Sequence, residues 1–321
     1  MRYVEVGGVR VSVIGLGTWQ FGSAEWGYGE NYAQWEALRI AERALELGIN
    51  LIDTAEVYGN GRSELIVGAA TRGRGAFLAT KLISFWPVPQ VIERRALASA
   101  GRLQTEAIDL YQLHWPTFHV PLDITMQGLR RVQQTGLVRQ VGVSNFSLRR
   151  WQAAERRLGA PLLSNQVQYN LASRAAERDL IPYAASHDRV VIAYSPLAQG
   201  FLTGNYASGA RPGGLRDWNP VNPLSWRGNR RRAAGLVEAL RRVAGAHGAS
   251  PAQVALAWVI RYDNVAAIPG ARTLAQLEEN AAAADLVLTE EELARLEEAS
   301  QGFRPAPRAL ALLQMRRLGR S

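Results

Sequence analysis

The chain has 321 residues, 47% hydrophobic and 20% charged, enough to bury a large core. Its formal net charge is +9, but the arginines are scattered and the densest runs, RGNRRR (227–232) and QMRRLGR (314–320), carry no interleaved aromatics; they read as solvated surface, and no nucleic-acid partner is expected. The absence of cysteine excludes disulfides, thiolate metal sites and cysteine nucleophiles, and with no apolar leader and no run of about 18 apolar residues the expectation is a cytoplasmic protein with no membrane partner.

In chain order, VEVGGVRV (4–11) reads as a hairpin on a Gly-Gly turn, so that residues 1–10 cap a barrel floor. Eight short apolar, β-branched segments then read as strands: VSVIGL (11–16), INLIDT (49–54), FLATK (77–81), IDLYQLH (108–114), VRQVGVS (138–144), LLSNQVQ (162–168), RVVIAYS (189–195) and NVAAIP (264–269). Between them lie amphipathic helical patterns such as QWEALRIAERALELG, PQVIERRALASAGRL, DITMQGLRRVQQTG, SLRRWQAAERRLG, AERDLIPYAASH and SPAQVALAWVIRY. Eight strands alternating with helices in a chain of this length predict a (β/α)8 TIM barrel, one domain over residues 1–321. The alternative is a doubly wound sheet. Its G-x-G-x-x-G fingerprint fails in GLGTWQFG, which supplies Gly15 and Gly17 but Gln20 for the third glycine. Strands seven and eight are separated by a Gly-, Pro-, Asn- and Trp-rich insertion at 203–231, which belongs to the active-site face, and a tail covers 301–321.

In such a barrel the residues ending the strands converge on one mouth. Here they are Asp53, Lys81, His114, Ser144 with Asn145, Gln166, Tyr194 with Ser195, and Pro269 to Arg272. Polar groups recur at these ends while the strands are apolar, and convergent buried polar groups cost free energy unless paired. Lys81 is the only lysine in the chain, against 36 arginines. Arginine serves wherever a structural cation is enough, so a lone lysine suggests chemistry that guanidinium cannot do. Asp53 and Lys81 come from neighbouring strands and suit an ion pair, and Tyr58 in DTAEVYGNGRSE lies near enough to fold over the same mouth. The adjacent ammonium is expected to lower the phenol's pKa, and His114 to orient or stabilise a developing oxyanion.

These residues resemble the aldo-keto reductase superfamily, whose motifs are matched in order by LGTWQFG, INLIDTAEVYGNGRSE, ATK, IDLYQLHWP, VGVSNFS, NQVQYN, AYSPLAQGFLTG and IPGARTLAQLEEN over nearly the whole chain. The resemblance implies reduction of aldehydes and ketones on a barrel, without metal, by NADPH, with NADH less favoured. It makes Asp53, Tyr58, Lys81 and His114 the catalytic tetrad, with Tyr58 as general acid. It places Gly17, Thr18, Trp19 and Asp53, together with Ser144, Asn145, Gln166 and Tyr194, around the nicotinamide. Ser195, Pro196, Leu197, Gln199, Gly200 and Leu202 fall to the pyrophosphate, and Ile268, Gly270, Ala271, Arg272, Gln276, Glu279 and Asn280 to the adenosine end. Arg272, Gln276 and Asn280 recur every four residues and so share one helix face. Trp19, Trp86 and Trp115, with Tyr58 and His114, suggest an apolar, aromatic pocket for a small carbonyl substrate. Two alternatives stand beside this: a Schiff-base lyase using Lys81, and an NADPH-binding regulatory protein similar to potassium-channel β subunits. Whether the protein is a monomer or a homo-oligomer is left open.

Overall fold

The structure is a computed structural model that describes residues 1–29, 32–204 and 227–304. Most of the insertion at 203–231 and of the tail at 301–321 therefore lies outside the described residues. The chain opens with strands β1 (Tyr3–Val6) and β2 (Val9–Ser12), paired antiparallel. Their two-residue turn is Gly7 at φ 56° and Gly8 at φ 74°, the left-handed pair that a tight hairpin needs and that glycine adopts without strain. The hairpin buries Val4 and Val11. It is tied to the turns that enter the later strands: the Gly7 N–H donates to Asp188 at 2.9 Å and the Tyr3 hydroxyl to the Gly48 carbonyl at 3.0 Å. It therefore closes the barrel floor, away from the strand ends that carry the site.

Eight parallel strands follow: β3 (Leu16–Gly17), β4 (Leu51–Asp53), β5 (Phe77–Leu82), β6 (Ile108–Leu113), β7 (Val138–Ser144), β8 (Ser164–Gln168), β9 (Val190–Tyr194) and β10 (Val265–Ala267), each paired with the next in order around the sheet. The ends meet through parallel bridges Ile14–Ala267 and Gly17–Gly270, with the Gly15 N–H on the Ala267 carbonyl at 2.7 Å and the Gly17 N–H on the Pro269 carbonyl at 3.0 Å. This is the expected (β/α)8 barrel with one correction at its start. The segment VSVIGL does not form one strand: Val11 and Ser12 pair within the hairpin, Ile14 makes an isolated bridge at the seam, and the barrel strand itself is Leu16–Gly17.

The seam also explains the G-L-G sequence. A Cβ on Gly17 would stand 2.7 Å from the Ile268 carbonyl oxygen, and one on Gly15 would stand 2.8 Å from that of Leu51. Both glycines serve close backbone approach beside β3, Gly17 across the seam and Gly15 against β4. Gln20, which takes the third position, stitches the same seam by donating to the carbonyls of Gly17 (3.0 Å) and Ala271 (2.9 Å).

Helices α1 (Gln34–Glu46), α3 (Pro89–Leu103), α4 (Leu122–Gln134), α5 (Leu148–Leu158), α6 (Leu180–Ser186) and α9 (Pro251–Val259) follow the expected patterns, and with α2 (Arg62–Thr71), α7 (Arg227–Arg232), α8 (Ala234–His247), α10 (Leu274–Ala282) and α11 (Glu290–Gly302) they surround the strands. Their boundaries follow local chemistry. Ser147 caps α5 and Gly159 ends it in the left-handed region, Pro89 opens α3, and Ser250, Pro251 and Gln253 form the cap and capping box of α9. Among the described residues no helix is long and apolar enough to cross a membrane.

Candidate active site

The strand ends open into a cavity of about 640 Å3. At its floor the Lys81 ammonium donates to Asp53 Oδ1 at 2.5 Å, to the Thr54 carbonyl at 2.8 Å and to the Tyr58 hydroxyl at 3.3 Å. The side chains of Lys81 and Asp53 are only 1% and 3% exposed. The other carboxylate oxygen of Asp53 accepts from the amide of Gln166 at 2.7 Å and from that of Gln112 at 3.4 Å. Below them a hydroxyl cluster ties the layers together: Ser63, in the first turn of α2, accepts from Thr54 at 2.9 Å, and its oxygen lies 2.8 Å from that of Thr18. Tyr58 is thus set over the ammonium by the turn joining β4 to α2.

Electrostatics at the floor follow from burial and this pair. Burial alone would lower the Lys81 amine, but the Asp53 carboxylate and then Tyr58 more than offset it, so the group lies above its ordinary value and is held as ammonium. Burial raises the Tyr58 phenol, and although Lys81 pulls it down, burial prevails. The expected net lowering by the ammonium is therefore reversed here: desolvation of a phenolate in this enclosed corner outweighs one nearby charge. Burial, reinforced by the Lys81 ammonium, drops the His114 imidazole to about 3 and leaves it neutral near pH 7. Its ring meets that of Tyr58 edge-on with centroids 5.9 Å apart. The floor therefore presents two neutral groups, a phenol O–H and an imidazole, at one spot on the wall, with a fixed positive charge behind them.

Most of the residues expected around a dinucleotide line this cavity. Trp19 stands on one side, its ring 6.3 Å from that of Tyr58, and Tyr194 donates to Asn145 Oδ1 at 3.0 Å. Asn145, itself left-handed at φ 64°, donates to the His114 carbonyl at 3.2 Å and to the Ser144 hydroxyl at 3.0 Å. Gly17, Thr18, Ser195, Pro196, Leu197, Gln199, Gly200, Ile268 and Gly270 continue the wall to Arg272, Gln276, Glu279 and Asn280. Three of the sequence-expected positions stand apart. Leu202 (0% exposed) and Ala271 (1%) pack in the core behind the wall, and Trp86 is 55% exposed on the β5 loop, outside the cavity. Trp115 lies on the rim, 46% exposed and stacked on His114.

Sequence reasoning missed several wall residues, among them Gln20, Trp26, Val57, Gln168 and Ser250. Trp26 is the one with an available signal, an aromatic in the Gly-rich segment after the first strand; it meets Trp19 edge-on at 5.0 Å.

The donor set can be tested against a phosphorylated dinucleotide. Arg272 lines the far end of the cavity, and no carboxylate pairs with its guanidinium among the described residues. Thr273 caps α10 by accepting from the Gln276 N–H at 3.2 Å, so the positive end of that helix opens beside it. At the end beside Tyr58 and His114, Ser144, Asn145 and Gln166 offer hydroxyl and amide groups suited to a carboxamide. These features fit an anion at one end and an amide-bearing ring at the other.

The chain belongs to the aldo/keto reductase family, whose model matches residues 13–301. It is 48% identical over 318 residues to an uncharacterized oxidoreductase of Mycobacterium bovis, covering 98% of each chain. It is 34% identical to the methylglyoxal reductase of Escherichia coli over 316 residues, 96% of each chain. Among solved structures it resembles an aldo-keto reductase from Klebsiella pneumoniae crystallised with NADPH, at 32% identity and a TM-score of 0.75, covering 95% of this chain and 96% of that one.

Proposed function

We propose that the protein reduces aldehydes or ketones to alcohols with NADPH, with Tyr58 as the proton donor. The observation that carries this reading is the Lys81 ammonium, 2.5 Å from Asp53 and 3.3 Å from the Tyr58 hydroxyl, beside a neutral His114 at the floor of the cavity. When bound, the cofactor supplies the hydride. Ser144, Asn145, Gln166, Trp19 and Tyr194 hold its nicotinamide end, and Arg272, Gln276 and Asn280 its phosphorylated adenosine end.

The chain's own groups then handle charge and protons. A substrate carbonyl oxygen placed between Tyr58 and His114 receives hydrogen bonds from both as negative charge develops on it. Tyr58 gives up its proton to that oxygen, and the ammonium beside it stabilises the phenolate left behind. Asp53 keeps the ammonium in place and charged. The raised amine also argues against a Schiff-base role, because the lone pair such chemistry needs is occupied by a proton and three acceptors surround the nitrogen. The aromatic wall of Trp19, Trp26 and Trp115 favours an apolar or aromatic carbonyl compound. The similarity to a methylglyoxal reductase adds small 2-oxoaldehydes to the compounds to be tried.

The test is the decay of NADPH absorbance with a panel of aromatic, aliphatic and 2-oxo aldehydes. Tyr58→Phe should reduce kcat about 10²- to 10⁴-fold, the usual contribution of a general acid. A variant keeping more than about a tenth of the wild-type rate would remove Tyr58 from the mechanism. A wild-type protein that binds NADPH without turning over any carbonyl would favour the regulatory reading.

A further inference from the structure

Level with Lys81 the barrel holds buried polar residues to which no role has been given above. Lys81 on β5 is in register with Gln112 on β6, Gln112 with Gly142 on β7, and Gly142 with Ser164 on β8. Gln112 and Ser164 are both 0% exposed, so neither can turn to solvent. Across β7 the Ser164 hydroxyl donates to Gln112 Oε1 at 3.3 Å, which directs the Gln112 amino group at Asp53 Oδ2, 3.4 Å away. The gap they meet through is the missing side chain of Gly142: a Cβ there would lie 2.4 Å from Ser164 Oγ and 3.0 Å from Gln112 Cγ. A glycine, a hydroxyl and an amide on three strands thus build one line ending on the catalytic carboxylate.

The other donor to Asp53 Oδ2 is Gln166, at 2.7 Å. The two amides differ in access. Gln166 lines the cavity, whereas Gln112 lies behind it, out of reach of a ligand. Resting on the NADPH reading, we infer that Gln112 is a positioning residue that keeps Asp53 Oδ2 hydrogen-bonded when Gln166 turns to the carboxamide of a bound nicotinamide. A buried carboxylate oxygen left without a donor is costly, so Gln166 is free to serve the ligand only because a second donor is already in place. Gln112 acts through Asp53 and touches neither ligand nor substrate.

The experiment compares two ligands by calorimetric titration: NADPH, and 2′-phospho-ADP-ribose, which shares the phosphorylated adenosine end but lacks nicotinamide. Gln112→Met keeps the volume and removes the donor. It should weaken NADPH about tenfold and leave 2′-phospho-ADP-ribose unchanged, a selectivity that a general packing defect does not produce. Ser164→Ala, which only releases the amide from its anchor, should weaken NADPH alone by roughly threefold, and it decides the matter by the same ratio if Gln112→Met does not fold. Equal weakening of both ligands, or no change in either, would overturn the inference while leaving the coenzyme reading intact; the second result would mean that Gln166 serves Asp53 and the ligand with its two N–H groups at once. Failure of the wild type to bind NADPH would overturn the coenzyme reading itself, and this inference with it.

Discussion

Replacing Lys81 with methionine removes the charge at nearly constant length and strands Asp53 in the barrel. The size of the effect can be worked from the geometry. The pair is 2.5 Å apart with side chains 1% and 3% exposed, so water cannot replace the lost partner. Breaking one side of such a buried pair costs roughly 3–5 kcal/mol.

Urea unfolding of wild type and Lys81→Met gives the difference directly. The expected result is a loss of about 3–5 kcal/mol. The double variant Asp53→Asn with Lys81→Met removes both charges and should recover most of the stability without restoring turnover. A loss below about 1 kcal/mol would refute the picture of an enclosed, mutually dependent pair. Lys81→Arg keeps the charge but forces a larger head onto a side chain that is only 1% exposed, so it should lose about 1–3 kcal/mol and the activity as well.

Two further predictions concern His114 and the adenosine end. The folded imidazole at about 3 lies well below the ordinary value of 6.5, so as pH falls through 6.5 the unfolded chain takes up the proton first. Its contribution is thus fully present above that pH and drains away towards 3 at up to about 1.4 kcal/mol per unit. His114→Asn should flatten the acid limb of a urea-midpoint series between about pH 6.5 and 4, and an unchanged slope would place the titration elsewhere. Arg272→Ala should raise the Kd for NADPH about 10- to 100-fold, as loss of a charge-assisted contact to phosphate does, with NADH changed less than about threefold in parallel titrations. Equal effects on both would show that the guanidinium does not read the 2′-phosphate.

The barrel and its floor were legible because both rest on local signals: eight β-branched runs, a Gly-Gly turn, and titratable residues placed where strands end. What stayed hidden depends on long-range register. Gln112 reads as an incidental polar residue in an apolar strand, and only the pairing of β6, β7 and β8 brings it to Ser164, 52 positions away. Helix α2 shows no amphipathic period because seven of its ten residues are buried, so both of its sides face protein. The seam glycines mimic the start of a dinucleotide fingerprint, since both motifs use glycine for close backbone approach, and only the neighbours differ. The direction of the Tyr58 shift was misread because the ammonium is visible in the sequence whereas the desolvation opposing it is a property of the packed corner.

The contrast between Lys81 and the arginines turns on shape as well as charge. Burial by itself does not require lysine here. Glu64 is completely enclosed, yet Arg102 reaches it from a side chain 27% exposed, with Nη2 at 2.6 Å and Nε at 2.7 Å from the same carboxylate oxygen. Arginine manages this because its fork spreads donors over several atoms and its head keeps one side near solvent. At Lys81 three acceptors of different kinds, a carboxylate, a carbonyl and a phenol, surround one nitrogen within 3.3 Å. An ammonium has three N–H groups on that single atom, one for each. A guanidinium would have to place the same acceptors around a plane several atoms wide, on a side chain with no solvent edge. Only a point cation places positive charge beside the phenol while being held by both Asp53 and the backbone.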